Sequence, residues 1–145
     1  MAEELLTCSF RVHGRDFENA GEASTEIKSL LKDLEIDPQT IRRAVVVAFE
    51  AEMNVVMYAD EATVTLVLTD EDISIEAADS GPGIPDIEHA MEEGWSTATD
   101  EMREMGFGFG MGLPNIKRNS DLFAIRTEVG AGTVVSCRID LDDHG

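Results

Sequence analysis

The chain has 145 residues, 43% of them hydrophobic, and 30 acidic against 11 basic side chains, for a formal charge of −19. That length holds one domain with a real core and is too short for two comfortable ones. An acidic field of this size repels nucleic-acid backbones and anionic membranes, so neither is expected as a partner, and any phosphate ligand must be held by local devices.

The opening "MAEELLTCSF" is acidic and lacks the cleavage pattern of a signal peptide, and no apolar run approaches bilayer length, so a cytoplasmic location is expected. Leu5 to Val12 alternates as a first strand. From Asp16 to Glu35, Phe17, Ala20, Ile27, Leu30, Leu31 and Leu34 recur at helical spacing, which predicts a surface helix with one apolar face. "DPQT" supplies an Asp cap with Pro in the first turn, and Ile41 to Tyr58 follows as a second, far more apolar helix, expected to be central. "ATVTLVLTD" and "DISIEAAD" read as an antiparallel hairpin turning at Asp70 to Asp72.

"SGPGIPD" is breaker chemistry, Asp86 to Glu93 fits a short helix, and a long connection runs from Gly94 to Gly112. A connection of that length is a lid or a disordered loop. Leu113 to Ser120 predicts another short helix, and "LFAIRTEV" and "TVVSCRIDL", joined by "GAG", a closing hairpin. The order implies an α+β two-layer sandwich: a mixed, largely antiparallel sheet with helices on one face. Cys8 and Cys137 lie in strand-like segments without metal-site spacing and read as core residues, and His13, His89 and His144 are scattered.

Four constellations could carry chemistry. Glu50 and Asn54 are one helical turn apart in the apolar second helix. They either mark, with Glu52, the wet side of that helix, or present a carboxylate and a hard oxygen ligand to a magnesium nucleotide. Asp79 ends a strand and is followed by Gly81 and Gly83, which suits an ordinary turn or a carboxylate reading an exocyclic amine beside bare backbone. "GFGFGMGLPNIKR" places glycines at 106, 108, 110 and 112 before a helix, as a hinge or as amide donors for an anion. It matches neither the Walker pattern nor the dinucleotide fingerprint. Gly130, Gly132 and Thr133 form a tight turn.

Taken in order, Glu-x-x-x-Asn on a helix, Asp-x-Gly-x-Gly after a strand, a glycine-rich loop entering a helix, and Gly-x-Gly-Thr in a closing hairpin resemble the four boxes of the GHKL ATPase superfamily, the Bergerat nucleotide-binding fold. The boxes span Glu50 to Thr133. Within that superfamily, "GWSTATDEMREMGFGFGMGLPNIKRNSDLFAIRTEVGAGTVV" is most similar to the small anti-sigma and switch serine/threonine kinases. Asn119 and Ser120 depart from that pattern by replacing an apolar pair, and "ATDEMREM" makes the lid longer and more acidic.

The resemblance implies a single ATP-binding kinase domain over residues 1–145 with its lid at about 94–112. It implies ATP and Mg²⁺ as ligands, Glu50 as general base, and Asn54 as magnesium ligand through the ATP phosphates. Asp79 would read the adenine amino group with Gly81 and Gly83 behind the ring, and Thr133 would complete that end. Gly108, Gly110, Met111 and Gly112 would lie along the triphosphate, with Leu113 starting the helix aimed at it and Lys117 a helping charge. Trp95 would anchor the lid, meet a partner, or sit in the core. The implied activity is phosphorylation of a STAS-domain protein in a sigma-factor or stress-signalling switch, with a sigma factor or a phosphatase as a further partner and a monomer or homodimer as the working unit. The alternative is a nucleotide-gated anti-sigma or phosphatase-activating module with little phosphotransfer.

Overall fold

A computed structural model describes residues 3–79, 112–128 and 132–141. The elements in chain order are β1 (Glu4–His13), α1 (Glu22–Asp33), α2 (Pro38–Tyr58), β2 (Glu61–Thr69), β3 (Asp72–Asp79), α3 (Gly112–Arg118), β4 (Leu122–Glu128) and β5 (Gly132–Asp140). The helix expected at 86–93 and most of the lid lie outside the described residues.

The strands form one sheet in the order β1-β2-β3-β5-β4. The largely antiparallel sheet expected from the sequence is borne out, and every pairing among the described strands is antiparallel. The cause lies in the connections. A single crossover helix would return the chain to run parallel, whereas the α1–α2 pair goes out and back, so β2 enters from the end where β1 left. Two hairpin-connected pairs complete the sheet, with β5 inserted between β3 and β4.

Strict alternation separates the two faces of the sheet. Val64, Leu66, Leu68, Ile73, Ile75 and Ile139 are buried beneath the helices, while Thr63, Thr65, Ser74 and Ser136 lie on the opposite, partly exposed face. The architecture is thus a two-layer α+β sandwich. Cys137 points inward, its Sγ donates to the Ile75 carbonyl at 3.2 Å, and burial pushes its thiol up to about 11. That is the chemistry of a core residue.

Helix α2 is central, as expected from its composition, with Ala44, Val47, Ala48, Val55 and Val56 at 2% exposure or less. Its start follows from local chemistry: Asp37 Oδ2 accepts from the backbone N–H of Gln39 at 3.1 Å and of Thr40 at 3.2 Å, and Pro38 occupies the first turn. Among the described residues, no helix is long and apolar enough to cross a membrane.

Helix α1 corrects the sequence expectation. It begins at Glu22, not Asp16, and ends at Asp33. Asp16 instead folds onto Asn19, accepting from its backbone N–H at 3.3 Å and its Nδ2 at 2.9 Å, and Gly21 takes φ 99°, a left-handed conformation suited to glycine. Phe17 and Ala20 still pack on the core, but from a turn. No local side chain caps α1. The cap comes from α2: the Glu52 carboxylate, 2% exposed, accepts from the N–H groups of Gly21 at 3.0 Å, Ala23 at 3.2 Å and Ser24 at 3.1 Å.

Three orphan donors and a buried carboxylate thus satisfy one another, and removing the acceptor strands all three. Glu52→Ala should lower the unfolding free energy by about 2 kcal/mol, measured as a lower urea midpoint with unchanged slope. Glu52→Gln, which keeps one carbonyl oxygen, should lose less.

Candidate functional site

Glu50 and Asn54 lie on the side of α2 away from Glu52, because positions two apart in a helix are about 200° apart. Both are half-buried. Burial raises the Glu50 carboxyl above its ordinary value of 4.5, and a side-chain hydrogen bond from Asn115 of α3 pulls it part of the way back. Asn115 Oδ1 in turn accepts from Arg118 Nη1 at 3.2 Å. A Glu50–Asn115–Arg118 chain therefore joins α2 to α3.

The direction of α3 follows from a second tie. Arg43, two turns before Glu50, donates from Nε to the Asn119 carbonyl at 3.1 Å and pairs with Asp121 at 3.2 Å. Since Arg43 meets residues 119–121 and Glu50 meets residue 115, α3 runs antiparallel to α2, and its first residues point toward the Asn54 end. Leu113 and Ile116 seat the helix in the core at 8% and 0% exposure, and Lys117 is exposed. Asp121 is held below the usual carboxylate range, first by the backbone N–H of Asp140 and also by Arg43.

The same end of the sheet carries two more of the expected residues. Asp79, the last residue of β3, lies opposite Ala62 in the register, just past the exit of α2. Its Oδ1 accepts from the Thr133 N–H at 3.0 Å. Thr133 is 6% exposed, and its hydroxyl lies 2.9 Å from that of Thr127. Asp79 and Thr133, 54 positions apart in the chain, are thereby in direct contact.

These described residues share one edge of the sandwich: the C-terminal half of α2, the start of α3, the end of β3 and the start of β5. The model for histidine kinase-, DNA gyrase B- and HSP90-like ATPases matches residues 37–143, which include every one of them. The chain belongs to this ATPase family. It is similar to the serine/threonine-protein kinase RsbT of Bacillus subtilis, at 43% identity over 63 residues, which are 43% of this chain and 41% of that protein. The chain thus matches less than half the length of that relative. It is also similar to the anti-sigma F factor of Clostridium acetobutylicum, at 28% identity over 81% of this chain and 82% of that one. Among solved structures, the crystal structure of the SiaB-SiaC complex from Pseudomonas aeruginosa contains a chain of like fold, with a TM-score of 0.56 and 13% identity over 96% of this chain and 91% of that one.

Of the residues expected in this ATPase site, Gly81, Gly83, Gly108, Gly110 and Met111, together with Trp95, lie outside the described residues. Gly112 opens α3. Two residues escaped the sequence reading. Glu52, expected with Glu50 and Asn54 on the wet side of α2, is buried as a cap; its partners lie some thirty positions earlier, and no local pattern signals them. Asn115 stands inside the glycine-rich stretch with no spacing that ties it to Glu50, and it is the residue that meets Glu50.

The environment of Glu50 has a measurable cost. Because its folded-state value is raised, the native state keeps its proton to higher pH than the unfolded chain does, so Glu50 lowers stability increasingly as pH rises from 4.5 through that value. Glu50→Gln should therefore melt at a higher temperature than wild type at pH 7, and the gain should vanish below about pH 4, where the carboxyl is protonated in both states. Scanning calorimetry across that range reads both.

Proposed function

We propose that this chain is an ATP-dependent serine/threonine protein kinase that acts on a STAS-domain protein in a sigma-factor or stress-signalling switch. The observation that carries the reading is a half-buried carboxylate of raised basicity, Glu50, one helical turn from the carboxamide of Asn54 on α2, in a chain that also brings Asp79 and Thr133 into contact. A pure binding module has no use for a base at that position. The name of the RsbT relative points the same way.

In this reading Asp79 accepts from the adenine amino group, while Thr133 and the glycines at 81 and 83 shape that end. Gly108, Gly110, Met111, Gly112 and the start of α3 at Leu113 line the triphosphate, and Lys117 adds a positive charge. Mg²⁺ fits the donor chemistry: the half-buried carboxamide of Asn54 offers a hard oxygen, and Mg²⁺ is commonly held by one or two protein oxygens plus substrate phosphates. Asn54 would be that protein ligand, and the bound ion would neutralise charge on the transferring phosphoryl group. Glu50 orients the acceptor hydroxyl and takes its proton as the oxygen attacks the γ-phosphorus and the bond to ADP breaks. Asn115 keeps the carboxylate facing that hydroxyl. The raised basicity of Glu50 favours the proton transfer, and cytoplasmic action is consistent with ATP as donor.

A second reading rests on the anti-sigma F factor relative, whose similarity extends over 81% of the chain: a nucleotide-gated module that sequesters a sigma factor or activates a phosphatase with little phosphotransfer. Titration calorimetry with ATP, with and without Mg²⁺, followed by transfer of labelled phosphate to a STAS-domain protein, separates the two. Under the kinase reading, Glu50→Ala should cut phosphotransfer by about 10²-fold or more while ATP affinity is kept, and Asn54→Ala should abolish the Mg²⁺-dependent part of binding. ATP binding without phosphotransfer in the wild type would favour the module. Unchanged Mg²⁺-dependent binding in Asn54→Ala would overturn the site assignment itself.

A further inference from the structure

A concavity lies on the far side of α2 from Glu50. It is an open cleft of ≈ 890 Å³ between the end of β1 and the first turns of α1, floored by Phe10, Val12 and Val56 and rimmed by Asp16, Glu22 and Glu26. Small-ligand pockets span about 300–1,000 Å³, so there is room for several side chains. We propose that this cleft is a docking groove for an extended, basic segment of a partner protein, which adds to the sheet as a strand along β1.

Three observations support strand addition. First, β1 is at the sheet margin and, among the described strands, pairs only with β2; a marginal strand presents a row of N–H and C=O groups to whatever comes alongside. Its inward-facing residues Leu6, Cys8, Phe10 and Val12 include no charge, there is no Pro or Lys along it, and its one irregularity lies at the far end, between Glu4 and Leu6. Among the described residues, no Pro, Lys, inward-pointing charge or bulge blunts the edge beside the cleft, and the one charged residue of β1 there, Arg11, is paired with Glu61. Second, the groove is firmly built, because Glu52 at its base holds the start of α1 with three hydrogen bonds of 3.0–3.2 Å. A preformed wall lowers the ordering cost of binding.

Third, the charges sort themselves. Arg11, the cation at the cleft, turns toward Glu61 at 2.7 Å, and the His13 ring lies 4.0 Å from the same carboxylate. That leaves the exposed carboxylates of Glu22 and Glu26, one turn apart on α1, facing the groove. Glu26 lines the same cleft as Phe10 and Val12 of β1, and after burial its charge is the second cause of the raised thiol of Cys8 on the strand's inward face. A strand laid beside β1 directs every second side chain into the groove. Arg or Lys at those positions can rest its aliphatic stem on Phe10 and Val12 and deliver its charge to Glu22 and Glu26.

The probe is a fluorescein-labelled octapeptide of alternating arginine and threonine, titrated by anisotropy into the full chain without nucleotide, so that its outcome is independent of the kinase reading. Two control peptides are an isomer with its arginines contiguous and a version N-methylated at every second amide. The alternating peptide should bind about tenfold or more tightly than either control, should shift the amide resonances of β1 and the first turns of α1, and should lose about tenfold or more with Glu22→Lys/Glu26→Lys. Asp33→Lys/Glu71→Lys, which makes the same charge change at exposed positions away from the cleft, should lose much less. Equal binding of alternating and contiguous peptides, equal losses in the two charge variants, no binding at all, or shifts that miss β1 would each overturn the proposal. So would a concentration-dependent dimer of the free chain that Ser9→Pro dissolves, because it would assign the edge to a second copy.

Discussion

Helix α2 is the part on which the rest of the molecule depends, and it is held in place by a carboxylate that a purely apolar helix would lack. Glu52 faces α1 and supplies the acceptor for three amides that would otherwise be orphaned in the core. A buried charge is tolerable only when its lone pairs are occupied, and here they are occupied by donors that equally need them. The contact does more than stabilise. Because it grips one side of α2, it fixes the roll of the helix about its own axis, and that roll decides where Glu50 and Asn54 point. On the opposite side, Arg43 and Asn115 tie α2 to α3, so the helix is held from both flanks.

The charge of −19 makes the economy of cations informative. Only 11 Lys and Arg side chains are present, and several are engaged within the molecule: Arg11 with Glu61, Arg43 with Asp121, and Arg138 with Asp140. Exposed pairs of this kind contribute little to stability. Their effect is on the field, since a cation held against a carboxylate leaves the remaining acidic surface uncompensated. Two consequences follow for ligands. A nucleotide phosphate would have to be met by oriented amides and by a metal ion, and protein partners with basic segments gain in encounter rate at low ionic strength.

The parts legible in the sequence were those set by local chemistry. Asp37-Pro38 announced the start of α2, and the β-rich runs "ATVTLVLTD" and "DISIEAAD" an antiparallel hairpin turning at Asp70 to Asp72; the structure bears these out, with Asp72 already in β3. What could not be read depended on residues distant in the chain. The start of α1 was misplaced to Asp16 because Phe17 and Ala20 keep a helical spacing, whereas the true start at Glu22 is dictated by a carboxylate some thirty positions later. The insertion of β5 between β3 and β4 has no local signature, because it depends on which hairpin edge meets β3. In the candidate site, the pairing of Asp79 with Thr133 was foreseeable only through the resemblance to the ATPase boxes. Asn115 was passed over because its role exists only once α3 lies against α2.

The placement of the candidate site and the cleft on either side of α2 is the remaining consequence of this arrangement. Glu50 meets Asn115 of α3, with Asn54 one turn on along the same side of α2, whereas Glu52 lines the cleft beside β1. The three residues fall within about 6 Å of rise along one continuous helix, too short a span for independent adjustment. A displacement of the first turn of α1, transmitted through the amides of Gly21, Ala23 and Ser24 to Glu52, must therefore rotate or translate Glu50 and Asn54 together. Any ligand that binds two positions of α1 with different affinity will bias the site by that difference and no more. By reciprocity, occupation of the site will bias the cleft to the same extent.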